Sequence, residues 1–120
     1  MSHPMFRVTL AALVASVVLG HGTAIAAGDA AKGKIAFTKN GCWQCHGFLG
    51  QGSVATSSGK VLAPDPLPWD TFSSFIRTSN TNMPPFSEKV LSNSDLEDIY
   101  AYLSSVPKPK DYKSIPLLNQ

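Results

Sequence analysis

Two cysteines three residues apart, with a histidine directly after the second, form the string Cys42-Trp43-Gln44-Cys45-His46. They are the only cysteines in 120 residues. Thiols at this spacing can both reach the vinyl groups of one haem and form thioethers, and the next imidazole then lies under the iron: this is the c-type haem attachment pattern. A chain built this way wraps a prosthetic group instead of closing on side chains alone. Three other readings compete. A redox-active C-x-x-C sits in a thioredoxin-like βαβ setting, and the sequence has no such pattern. A closed zinc site takes four ligands, usually thiolate and imidazole, and here a carboxylate would have to complete it. A chance match is the third.

The working chain is shorter than it looks. Residues 1–7 carry one positive charge, Arg7, and residues 8–19 are apolar except for Thr9 and Ser16. Gly20 and Gly22 break that run, and Ala24-Ile25-Ala26 supplies small residues before a cleavage point. This is the order of a secretory signal peptide, expected to span 1–26. The competing reading is an uncleaved membrane anchor, but His21, the glycines and the alanines weaken a span that needs about 20 strongly apolar residues. Cleavage leaves 94 residues, nine basic side chains against eight acidic ones, one histidine (His46) and one methionine (Met83). Domains this small bury a modest core and often need a staple, which a haem would provide. Charged residues make up 15 % of the chain, against roughly 25 % in an average protein. With no basic run and a charge near zero, nucleic acid is excluded as a partner.

The mature chain reads as helical, with no sustained period-2 alternation. Asp29 caps a first helix that Asn40-Gly41 stops. The glycine-, serine- and proline-rich stretch 41–68 reads as loop, irregular unless a ligand organises it. A second helix runs over about 70–78, with Asp70 as its N-cap and Phe72, Phe75 and Ile76 on one face. Residues 79–88 are loop again, including Met83-Pro84-Pro85-Phe86. The third helix opens on a capping box, Ser94-Asp95-Leu96-Glu97. Leu96, Ile99, Tyr102, Leu103 and Val106 recur at helical spacing, and Pro107 stops it. The organisation is therefore a signal over 1–26, one domain over 27–106 and an extended basic tail over 107–120.

Within the domain, His46 is the proximal iron ligand by position and by elimination. Haem iron takes His, Met, Cys or Tyr partners. Both cysteines are used and no second histidine remains, so Met83, 37 residues after His46, is the candidate for the sixth position. Its neutral thioether favours ferrous iron and raises the potential, and Pro84 and Pro85 stiffen the chain behind it. The competing reading makes Met83 a buried gap-filler.

These residues resemble class I cytochromes c, the small bacterial single-haem kind, over nearly all of 28–106. Cys42, Cys45 and His46 match the attachment motif, Met83-Pro84-Pro85-Phe86 the distal methionine loop, and Asp98-Ile99-Tyr100-Ala101-Tyr102-Leu103 the C-terminal helix. The resemblance implies an all-α cytochrome c fold of about three main helices around one covalent haem c. It also implies a crossing of the first and last helices, for which Gly33, Phe37, Ile99 and Tyr102 are the candidates. The chain departs from the family where a Gly-Pro-x-Leu string often follows the haem loop. Here Gly59-Lys60-Val61-Leu62 stands instead, with Pro64 the nearest proline, and the carbonyl that orients His46 is open. Trp69 is either a propionate donor, as in some relatives, or an indole in the core.

With both axial positions filled, no substrate binds iron, and the expected role is one-electron transfer, not enzyme catalysis. Phe48, Leu49, Pro84, Pro85 and Phe86 form a candidate apolar docking rim. The expected setting is a bacterial periplasm, with a dehydrogenase as donor and an oxidase or another cytochrome as acceptor. A membrane enters only if the signal is retained. The alternatives are a dedicated subunit of a periplasmic dehydrogenase, suggested by Ile115, Leu117 and Leu118 in the tail, or a haem enzyme or gas sensor with an open sixth site.

Overall fold

The computed structural model describes residues 28–53 and 59–119; the expected signal peptide lies outside them. All regular structure among these residues is helical: α1 (Ala30–Lys39), α2 (Trp43–His46), α3 (Trp69–Thr78) and α4 (Asn93–Ser105), followed by two short 3-10 turns, Tyr112–Ser114 and Pro116–Leu118. The all-α expectation holds. No described helix is long and apolar enough to cross a membrane.

The α1 helix starts where its capping residue predicts. The Asp29 carboxylate accepts from the Ala31 and Lys32 amides, satisfying donors that have no partner inside the helix. At the other end Gly41 takes φ +74°, a conformation that costs glycine nothing. Its N–H donates to the Thr38 carbonyl, and the Cys42 N–H donates to the Phe37 carbonyl. That pair of bonds is a Schellman motif, so Cys42 is hooked directly onto the last turn of α1.

Two expected caps are replaced. Helix α3 begins at Trp69 with Pro68 before it, and Asp70 lies inside the first turn instead of capping it, where its charge still favours the helix dipole. Helix α4 is capped by Ser92, whose hydroxyl accepts from the Asp95 amide; the Ser94-to-Glu97 box starts two residues too late, inside the first turn. Phe72 and Ile76 are buried as expected, but Phe75 is 44 % exposed.

Helices α1 and α4 pack against each other. Gly33 sits so close to the Asp98 carbonyl that a Cβ has no room. Beside it Phe37 and Tyr102 meet with ring centroids 5.6 Å apart, and the Asp29 amide donates to the Asp98 carboxylate at 2.6 Å. All four residues expected at this contact are buried. Phe37, Leu91, Leu96, Ile99 and Leu103 form the most enclosed part of the core, each contributing roughly 1.5–3 kcal/mol by burial. Residues 107–119 are not extended throughout. The Asp111 carboxylate caps the first 3-10 turn, and Lys108 pairs with Asp65 at 3.3 Å, an exposed pair of small value.

Candidate haem site

The attachment string is itself a helical turn. The His46 amide donates to the Cys42 carbonyl at 3.0 Å and the Gly47 amide to the Trp43 carbonyl at 2.9 Å. Sequence reading placed this stretch in a loop, because one turn is too short to show periodicity. The turn carries Cys42, Cys45 and His46 on one short stretch of backbone that α1 hooks in place. Cys42 is half-buried against the core, Cys45 is exposed, and no disulfide joins them. Burial pushes the Cys42 thiol up to about 11. A thioredoxin-type C-x-x-C instead depends on a lowered thiol. Among the described residues, no group of three or more His, Cys, Asp or Glu side chains gathers as a metal cluster, so the carboxylate that a zinc site would need is not at hand.

His46 is buried. Its Nδ1 lies 2.8 Å from the Lys60 carbonyl oxygen. A carbonyl only accepts, so Nδ1 carries a proton, and in the neutral ring Nε2 is then the nitrogen with the lone pair. Nε2 has no hydrogen-bond partner among the described residues. A ring nitrogen whose opposite N–H is fixed by a carbonyl is the usual state of a metal-ligating histidine. The residues present therefore fit a haem iron. The orienting carbonyl belongs to Lys60, where the family often has proline, and Pro64 is not needed for it.

Met83 comes from a different part of the chain, the loop between α3 and α4. It is half-buried and packs on the same core as Cys42 and Trp43. The buried Ser79 hydroxyl donates to the Met83 carbonyl at 2.9 Å, and the Met83 amide donates to Thr81 Oγ1 at 3.3 Å. Three residues on, the Phe86 amide donates to the Ile76 carbonyl at 2.8 Å. Arg77 then spans the region: Nη1 donates to the carbonyls of Phe86 (2.9 Å) and Leu91 (2.8 Å), and Nη2 to Asn93 Oδ1 (2.6 Å). Sequence reading missed Arg77 and Ser79. An arginine with no carboxylate at helical spacing gives no pattern to find, and neither does a single serine.

Around the attachment turn, Phe48 stacks on Trp43 with centroids 4.6 Å apart and planes 9° from parallel. The Tyr102 hydroxyl donates to the Phe48 carbonyl at 2.8 Å, tying the turn to α4. Phe48 is still 62 % exposed and Leu49 50 %; Pro84 and Pro85 are exposed and Phe86 is half-buried. Trp69 sits among aromatic rings, edge-on to Tyr100 at 5.3 Å.

Residues 28–103 match the family described as cytochrome c oxidase, cbb3-type, subunit III. With most of the chain covered, it belongs to that family of c-type cytochrome domains. It is 41 % identical over 77 residues to the cytochrome bc1 complex cytochrome c subunit of Corynebacterium diphtheriae, covering 64 % of this chain and 27 % of that protein. It is 38 % identical over 87 residues to the like-named subunit of Corynebacterium efficiens, covering 70 % of this chain and 29 % of that one. The chain thus spans under a third of either relative. No solved structure matches it. Covalently bound haem c is the cofactor of such a domain, and its function is haem-based electron transfer.

Proposed function

We propose that the chain is an exported one-electron carrier holding one haem c, attached through Cys42 and Cys45, with His46 and Met83 as axial ligands. The observation that carries this reading is the His46 ring: buried, fixed at Nδ1 by the Lys60 carbonyl, and with no partner for Nε2 among the described residues, beside a C-x-x-C turn. When bound, the haem supplies a ferric/ferrous couple. Per cycle the protein takes one electron from its donor and gives one to its acceptor, with no atom transferred. The chain's own residues attach the group, set its axial field and shield it. Phe48, Leu49, Pro84 and Pro85 offer an exposed apolar surface for a brief redox contact, which is typically small.

The setting is the periplasm, reached through the signal over 1–26. The donor is a dehydrogenase, and the acceptor an oxidase or another cytochrome. A second reading makes the chain one subunit of a respiratory complex. It is supported by relatives named as bc1 complex subunits and by a tail that leaves Leu117 79 % and Leu118 62 % exposed.

Expression of the full chain beside a haem-ligation apparatus tests the site. The purified protein is expected to gain the mass of one haem, lost only when both cysteines are replaced, and to show a ferric methionine–iron charge-transfer band near the red end of the visible spectrum. A high-spin ferric spectrum without that band favours an open sixth site and sinks the carrier reading. Purification from the native host separates the free carrier, a monomer, from the subunit, which comes with its complex.

A further inference from the structure

The loop over 79–86 has an unusual backbone account. Pro84 and Pro85 have no N–H, so between Met83 and Phe86 the chain offers no donor of its own. The chain must be held on either side of the Pro-Pro step. On the Met83 side the bonds are local, to Ser79 and Thr81 of the same loop. On the Phe86 side they come from α3, through the Ile76 carbonyl and the Arg77 guanidinium. Arg77 also reaches the Leu91 carbonyl and Asn93 beyond the loop. It has no carboxylate partner among the described residues. Its charge is spent on neutral acceptors from three places in the chain, a task that suits the fixed fork of arginine and not the point charge of lysine.

We propose that Arg77 is the positioning residue of the sixth-ligand loop: its fork closes Phe86 onto α3 and so holds Met83 in place. The proposal rests on the reading of Met83 as an iron ligand. A brace that only joined α3 to α4 would affect global unfolding. A residue that positions Met83 also sets how readily an outside ligand displaces it. Hydrogen bonds from a charged donor are the stronger kind, and losing those on the loop is expected to raise the population of its open form about tenfold.

The test uses the ferric holoprotein, full chain, with imidazole as the competing ligand. Arg77→Gln is expected to bind imidazole about tenfold more tightly than wild type and to have a lower reduction potential. Arg77→Lys, which keeps the charge but not the fork, is expected to fall between the two. Ser79→Ala, which removes only the donor to the Met83 carbonyl, should also tighten imidazole binding. Wild-type imidazole affinity and potential in Arg77→Gln overturn the proposal. If that variant does not fold, wild-type behaviour in Arg77→Lys does the same. Met83→Leu is the control: it must abolish the charge-transfer band. If the band is present in wild type and survives in Met83→Leu, the ligand assignment fails, and the proposal falls with it. If the band is lost there but imidazole affinity is unmoved in both Arg77 variants, only the proposal fails.

Discussion

The Nδ1–H of His46 donates to the backbone carbonyl of Lys60 across 2.8 Å. The contact uses the peptide group, and the lysine side chain is exposed. Lys60→Ala is therefore expected to leave the ferric and ferrous spectra unchanged and to move stability by less than about 0.5 kcal/mol, as for ordinary surface positions. Visible spectra and urea unfolding of the holoprotein check this. A changed spectrum would mean that the lysine side chain itself acts on the site.

The α1–α4 contact has no slack at Gly33. Its nearest neighbour is the backbone of Asp98, which cannot rotate away as a side chain would. Gly33→Ala should cost about 3 kcal/mol or more, the upper range of overpacking penalties. Urea unfolding measures it; a loss below about 1 kcal/mol would show that the helices can separate cheaply.

The Asp29 carboxyl is held below the ordinary carboxylate range, first by its hydrogen bond from the Lys32 amide. A depressed acid contributes stability that is present above its unfolded value and is lost as pH falls through the folded one. Asp29→Ala should therefore lower the Tm at neutral pH, and the difference should shrink as pH drops below about 4. Thermal melts of both proteins at several pH values provide the comparison, and a constant gap would contradict the cap.

Tyr102 moves the other way: burial raises its phenol above the usual tyrosine value, and the neutral hydroxyl is the form that donates to Phe48. Its contribution is full below about pH 10 and is lost as pH rises through the folded value. Tyr102→Phe should cost about 1 kcal/mol at neutral pH and show a flatter alkaline decline. Alkaline melts test this, and parallel curves for the two proteins would refute it.

How much of this was legible beforehand depended on whether the information was local. Asp29, Asn40 and Gly41 act within one turn of α1, and their meaning is carried by residue type; the attachment string is equally local. Ser92 won over Ser94 because two serines compete within one turn, and only the path of the preceding chain decides between them. The one-turn helix at Trp43 had no period to read. The Lys60 carbonyl was beyond reach for another reason. Any residue has a carbonyl, so side-chain identity says nothing about which one faces an imidazole 14 positions away. Arg77 joins three backbone segments, and that relation exists only after folding.

The packing of Gly28 against the Glu97 carbonyl, beside the Asp29-to-Asp98 bond, fastens the start of the described chain to its last long helix. The two ends of the haem-bearing unit therefore lock each other. Such a unit is portable: it can stand at the tip of a longer polypeptide or be spliced between other segments without reworking its interior. The corynebacterial relatives, in which the matching region is under a third of the protein, are the arrangement that such self-fastening permits.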